Sequence, residues 1–203
     1  LYRQYQETLK GCNALDFEDI LNFCLKLFES HADKMQEMRD RFRYVMVDEY
    51  QDTNSVQYRL LKHLVRDHRN LCVVGDDDQS IYGWRGAEPG NLFQFEKDFP
   101  DVKVVRLEQN YRSTEVILKA ANALIENNSQ RMPKTLWSEK PGGELLGWIE
   151  AEDEVLETET VVRRIRLDIM RHNRKLEEYC ILYRSNFQSR VLEESLREAK
   201  LPY

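Results

Sequence analysis

Residues 44–52, YVMVDEYQD, and residues 71–87, LCVVGDDDQSIYGWRGA, decide how the rest of this chain is read. Residues 44–47 are apolar and rich in β-branched side chains. The run is short for a core helix and too uniformly apolar for a half-exposed strand, so it predicts a buried parallel strand. Residues 71–74 repeat the pattern. Between them, Val56, Leu60, Leu61 and Leu64 recur at helical spacing and supply the crossover that parallel pairing needs. A strand–helix–strand unit of this kind sets Asp48-Glu49 and Asp76-Asp77-Asp78-Gln79 side by side at strand carboxyl ends. That is the edge at which open α/β sheets bind ligands.

A hydrophobic content of 41% within 203 residues is ample for a core, in one large domain or two small ones. No apolar run approaches the ~18 residues of a membrane span. The opening LYRQYQETLK lacks the apolar stretch of a signal peptide, so a soluble, cytoplasmic protein with no membrane contact is expected. Cys12, Cys24, Cys72 and Cys180 stand far apart, with no C-x-x-C pair and no His in ligand spacing. They predict buried or incidental thiols in a reducing compartment, and argue against zinc and disulfides. A net charge of −6 argues against coating nucleic acid by bulk electrostatics, yet leaves room for a basic groove. Arg106, Arg112, Lys119, Arg131, Lys134 and Lys140 alternate with Glu108, Glu115, Glu126 and Glu139, and a solvated helix face accounts for most of them.

Upstream of the first strand, Asp16 reads as the N-cap of a helix whose apolar stripe is Ile20, Leu21, Phe23, Cys24, Leu27 and Phe28. Residues 29–43 continue as one charged helix. After Gln79 comes SIYGWRGAEPG, a glycine-punctuated loop carrying Tyr82, Trp84 and Arg85. A short helix at 91–99 stops at Pro100, and 102–107, VKVVRL, is the expected third strand, leading into EQNYRS. Ser113 or Thr114 caps the next helix, with Val116, Ile117, Ala120, Leu124 and Ile125 inward. Residues 126–143 form a long irregular link, after which the β/α grammar restarts: strand 144–151, helix 152–172, buried strand 179–184, helix 188–200.

Adjacent carboxylates at a strand end suit a division in which Asp48 holds Mg²⁺ and Glu49 orients an attacking water. Taken alone, the pair is better explained as helix-capping or loop residues. Gln79 is a neutral, bidentate side chain able to contact a terminal phosphate or its water. Its loop carries Tyr82, Trp84 and Arg85, a stacking platform for a base beside a guanidinium for a phosphate, a reading favoured over Trp84 filling a hydrophobic gap because an exposed loop rarely invests a Trp without reason. Arg112, where one β/α unit hands over to the next, is placed to act as an arginine finger, worth on the order of 10³–10⁵ in rate. Tyr111 beside it either stacks on an adenine or packs in a core.

DFEDIL, VDEYQDTN, VVGDDDQSIYGWRGA, LEQNYRST and ILYRSNFQSR together resemble consecutive motifs of superfamily 1A DNA helicases of the UvrD/Rep/PcrA type. The resemblance runs through essentially the whole chain, and the second and third motifs are highly specific. It implies RecA-like parallel sheets flanked by helices, with 1–110 the rear of a first motor domain and 111–203 the front of a second. It implies ATP and Mg²⁺ as cofactors, single-stranded and duplex DNA as partners, 3′-to-5′ translocation with unwinding, and work alongside repair or replication proteins. By the same likeness Asp48 serves magnesium, Glu49 the hydrolytic water, Gln79 and Arg112 the γ-phosphate and Tyr111 the adenine. Tyr82, Trp84 and Arg85 would then meet single-stranded DNA, and Arg184 and Ser185 its backbone.

The P-loop pattern G-x-x-x-x-G-K-[ST] does not occur in these residues, and phosphate affinity depends on its lysine and backbone cradle. The expectation is therefore a central slice of a helicase, inactive in isolation. Two rival readings are a helicase–nuclease subunit of the RecB/AddA type and a DNA-binding module that keeps the fold without catalysis. GDDDQSIYGWRGA fits the plain helicases better than the first, and Glu49, Gln79 and Arg112 speak against the second.

Overall fold

The two apolar runs pair as the sequence predicts. β1 (Val45–Val47) lies parallel to β2 (Leu71–Val73), with Val45 beside Leu71, Met46 beside Cys72 and Val47 beside Val73. The computed structural model describes residues 1–88 and 90–203; Pro89, in the SIYGWRGAEPG loop, lies outside the described residues. The crossover is a helix, α4 in chain order (Ser55–Val65), opened by reciprocal bonds between Asn54 and Gln57. Ahead of the sheet come α1 (Tyr2–Gly11), α2 (Phe17–Ser30) and α3 (Ala32–Arg41). After it come α5 (Gly90–Asp98), α6 (Glu115–Ile125), α7 (Glu154–His172) and α8 (Asn186–Glu198).

Asp16 does cap α2: its Oδ1 accepts from Asp19 N at 2.7 Å and Asp19 Oδ2 accepts from Asp16 N at 3.3 Å. The inward face of α2 is offset from the expected stripe. Leu25 is buried and Leu21 and Phe28 half-buried, whereas Ile20, Phe23, Cys24 and Leu27 are exposed. The single helix expected over 29–43 breaks at His31, whose ψ of 87° leaves helical space; α3 then packs on α2 and α4 and buries Met35. In α6, Leu118 turns inward while Ile117 and Leu124 are exposed. Thr114 is its N-cap without a side-chain bond; the preceding turn is held instead by Asn110 Oδ1, which accepts from Arg112 N and Ser113 N.

The core beside the sheet is aromatic. Tyr50, fully buried, meets Phe95 edge-on at 5.6 Å between ring centroids, and Tyr58 completes the cluster against Val47, Leu61, Leu71 and Val73. Burying each such ring contributes about 1.5–3 kcal/mol. Burial raises the Tyr50 and Tyr58 hydroxyl pKa values, and Tyr58 also donates to Asp98. Only one face of the strand pair is covered in this way: Met46 and Cys72 are exposed, so the strands are half-buried rather than buried on both faces. All four cysteines are free and exposed, which removes the buried-thiol reading and leaves the incidental one.

The strands expected at 102–107, 144–151 and 179–184 are not formed among the described residues. A strand exists only through the groups that pair with it, and these segments find no partner strand; Leu107, Trp148 and Leu182 are exposed accordingly. One isolated parallel bridge, Gln109 with Trp137, follows the first of them. The chain divides into two compact units, Leu1–Gly142 and Gly143–Tyr203. The second consists chiefly of α7 packed on α8, with Thr158 and Val162 buried. The architecture is α/β, a small parallel sheet with helices, and among the described residues no helix is long and apolar enough to cross a membrane.

Candidate functional site

Both acidic segments leave the carboxyl ends of the paired strands. Val74 N donates to Val47 O at 2.8 Å and Tyr50 N to Val74 O at 2.9 Å, which carries the strand ladder into the loops. Asp48 Oδ1 accepts from Glu49 N at 2.9 Å, and Glu49 has a left-handed backbone with φ 49°. For a residue with a Cβ that conformation costs on the order of 1–3 kcal/mol and persists only where the surroundings impose it. Here it turns the chain into a tight 3-10 turn, Tyr50–Asp52, that drops Tyr50 into the core and Gln51 beneath the two loops.

Gln51 is 1% exposed and satisfied at both ends of its amide. Nε2 donates to Glu49 Oε2 at 2.7 Å, and Oε1 accepts from Asp76 N at 2.9 Å. Gly75 lets the second loop come this close: a Cβ there would stand 2.8 Å from Gln51 Oε1 and 3.3 Å from Tyr50 N. Asp76 Oδ2 in turn accepts from Gln79 Nε2 at 2.6 Å. Glu49 and Gln79, candidates from different strand ends, are therefore joined through Gln51 and Asp76. Gln51 escaped the sequence reading because a glutamine within YQD reads as loop polarity until its burial is known.

The three carboxylates of Asp76, Asp77 and Asp78 converge closely enough to suggest a metal site. A lysine fills it. Lys134 Nζ lies 2.8 Å from Asp76 Oδ1, 2.6 Å from Asp77 Oδ1 and 2.8 Å from Asp78 Oδ2, one carboxylate for each ammonium proton. Arg131 grips Asp78 with both ends of its fork, at 3.0 and 2.7 Å, and Met132 N donates to Asp77 Oδ2 at 2.6 Å. Burial alone would raise Asp76, but hydrogen bonds from Lys134 and Gln79 hold its carboxyl below the usual range. The Arg131 guanidinium does the same for Asp78 against the opposing effect of burial. Burial would lower Lys134, and the three carboxylates overcome it and raise it. Arg131 and Lys134 are thus not part of a solvated helix face; the only hint of this in the sequence was complementarity to the run of three aspartates.

Asp48 and Glu49 remain available for a cation. Asp48 Oδ2 and Glu49 Oε1 have no partner among the described residues, and both side chains are exposed. Hard carboxylate oxygens with room for water and phosphate ligands fit Mg²⁺. A cleft of about 620 Å³ opens beside them, lined also by Cys24, Phe28, Tyr58 and Leu61. Neither Gln79, Tyr111 nor Arg112 lines that cleft.

Trp84 is 74% exposed and fills no gap. Arg85 lies over the Trp84 ring at 4.5 Å and over the Tyr82 ring at 5.3 Å, and the two rings are 6.4 Å apart. These three form one stacked group on the Gln79 loop. Tyr111 is exposed, with its hydroxyl donating to Gln109 Oε1 at 2.8 Å, so core packing does not hold it. The Arg112 side chain is exposed and has no hydrogen-bond or ion-pair partner among the described residues; its carbonyl accepts from Lys140 Nζ at 3.2 Å. In the second unit Gln188 Oε1 accepts from Arg184 N and Ser185 N, both at 3.0 Å, at the start of α8. The structure therefore joins Glu49 to Gln79 through Gln51 and Asp76, with Asp48 bonded to the Glu49 amide, and sets Tyr82 and Trp84 around the Arg85 guanidinium, and among the described residues it makes no bond from either group to the Arg112 side chain.

A family model for the UvrD/REP helicase N-terminal domain matches residues 1–100, and one for the UvrD-like helicase C-terminal domain matches residues 105–203. The chain is 48% identical over 203 residues to the ATP-dependent DNA helicase PcrA of Staphylococcus aureus strain Mu50, covering 100% of the chain and 28% of that relative. It is 48% identical over 206 residues to the protein of the same name from Staphylococcus epidermidis strain RP62A, with the same coverage. The chain thus spans 28% of the length of the curated relatives it matches. With both family models matching in order along it, the chain belongs to the UvrD/REP helicase family.

Proposed function

We propose that this chain is the central portion of an ATP-dependent 3′-to-5′ DNA helicase, in which residues 1–110 and 111–203 belong to successive RecA-like motor domains. The observation that carries the reading is the bonded path from Glu49 through Gln51 and Asp76 to Gln79, on a loop that also displays Tyr82, Trp84 and Arg85. A nucleotide-facing pair and a base-stacking group on connected loops are what coupling of hydrolysis to strand movement requires. The matched family models and relatives support the same reading over a helicase–nuclease or an inactive binding module.

In this reading Glu49 accepts the proton of the attacking water. Gln51 Nε2, bonded to Glu49 Oε2, orients the carboxylate and leaves Oε1 for the water. Asp48 holds magnesium, which when bound neutralises charge on the phosphates of ATP. Gln79 contacts the terminal phosphate, Arg112 approaches it as a finger from the second domain, and Tyr111 offers its exposed ring to the adenine. Tyr82, Trp84 and Arg85 grip single-stranded DNA ahead of the duplex, and Arg184 and Ser185 contact its backbone. The partners that follow are DNA and proteins of repair or replication.

The test is Glu49→Gln in the intact protein. DNA-stimulated ATP hydrolysis should fall by about 10²–10⁴, the range for loss of a general base, with nucleotide binding retained. Turnover at the wild-type rate would remove Glu49 from its role. Wild-type protein with no DNA-stimulated hydrolysis would end the helicase reading.

A further inference from the structure

Lys134 belongs to the region matched as the C-terminal helicase domain, yet its ammonium sits in the acidic loop of the N-terminal one. Its backbone is held in place from the C-terminal side. Asn122 of α6 bonds Leu136 in both directions, Nδ2 to Leu136 O at 2.9 Å and Leu136 N to Oδ1 at 3.2 Å. Trp137 N donates to Glu108 O at 3.0 Å and Asn110 N to Trp137 O at 2.7 Å. The irregular link is thereby tied to α6 and to the segment that presents Tyr111 and Arg112.

At the other end of this path is Gln79. Among the described residues its carboxamide has one protein partner, Asp76 Oδ2 at 2.6 Å. Asp76 is oriented by what holds Oδ1, namely Lys134 Nζ at 2.8 Å and the Asp78 amide at 3.1 Å. Of the three carboxylates Arg131 bonds only Asp78, whereas Lys134 touches all three, so Lys134 is the cation that sets Asp76. Without that ammonium three adjacent, partly buried carboxylates repel one another, and the loop must open or take up a proton.

We propose that Lys134 is a positioning residue for Gln79, acting through Asp76, and that this contact couples the 105–203 region to the nucleotide-facing loop. The proposal rests on the reading of Gln79 as a phosphate contact. Movement of the link by a few ångströms withdraws the ammonium, frees Asp76 to turn, and releases the Gln79 amide from its fixed orientation. Closure restores all three bonds together.

The experiment uses the intact protein with K134M, K134R, D76N, Q79A and the double variant K134M/Q79A. DNA-stimulated ATPase kinetics are read together with hydrogen exchange at the amides of Asp78, Gln79 and Ser80. For K134M, kcat should fall roughly 10-fold, the low end of what outer-shell partners contribute, while the KM for ATP moves by less than about threefold. K134R should recover at least half of the rate, and D76N should reproduce the K134M loss, which keeps the test open if K134M folds poorly. Because Lys134 acts through Gln79, the double variant should be no slower than Q79A alone. A double variant that loses the product of the two single effects, or K134M at the wild-type rate, overturns the proposal. If the wild type shows no DNA-stimulated hydrolysis, the functional reading fails separately and exchange decides the positioning. Exchange in K134M that quickens at these three amides by more than its loss of global unfolding free energy accounts for sustains it, and exchange no faster than that loss accounts for overturns it.

Discussion

The buried amide of Gln51 donates to Glu49 Oε2 at 2.7 Å and makes the orientation of an exposed carboxylate a property of the protein interior. Gln51→Met keeps the volume and removes both polar ends, which strands the Asp76 amide that Oε1 now accepts from. A buried donor left unsatisfied costs about 1–3 kcal/mol, and denaturant unfolding of the intact protein should show a loss of that size. Gln51→Glu should cost more at pH 7 than at pH 4, since it sets a second carboxylate against Glu49.

Trp84, exposed and stacked by Arg85, contributes little to folding in this position. Trp84→Ala should leave the unfolding free energy within about 0.5 kcal/mol and weaken single-strand binding by about 1–3 kcal/mol. Fluorescence anisotropy on an oligothymidine, paired with unfolding of the same preparation, separates the two. A variant that binds normally would remove Trp84 from the DNA contact.

Asp76 and Asp78 are held low in the folded state, so their contribution is fully present above the ordinary aspartate value of about 3.9 and is lost as pH falls through their lower folded values. Lys134 is held high, so its contribution is complete below about 10.4 and is lost only as pH rises through its higher folded value. Between these limits the cluster adds no slope to stability. Below pH 4 the wild type should lose stability faster than K134M, and the two unfolding curves should converge towards pH 2. Parallel curves would mean that the cluster contributes nothing to folding.

Much of the first unit was legible because its signals are local. The apolar runs at Val45–Val47 and Leu71–Val73 pair in parallel with α4 as the crossover, and Asp16 caps α2. The motifs around VDEYQD and GDDDQSIYGWRGA pointed to the helicase family that both matched family models support. Illegible were the features that need a partner distant in sequence. VKVVRL has strand composition and no strand partner among the described residues, and the burial phases of α2 and α6 follow the neighbours they pack on rather than their own periodicity.

By itself, then, the sequence determined which residues stand at the two strand ends and to which family they belong, since strand propensity, helical spacing and motif identity are written in contiguous residues. Tertiary structure alone decided that Gln51 would join Glu49 to Asp76 and that Lys134 would occupy the aspartate cluster. Those contacts arise where a buried donor or an unpaired charge must find a partner once water is excluded, and the partner lies wherever the fold has brought the chain back.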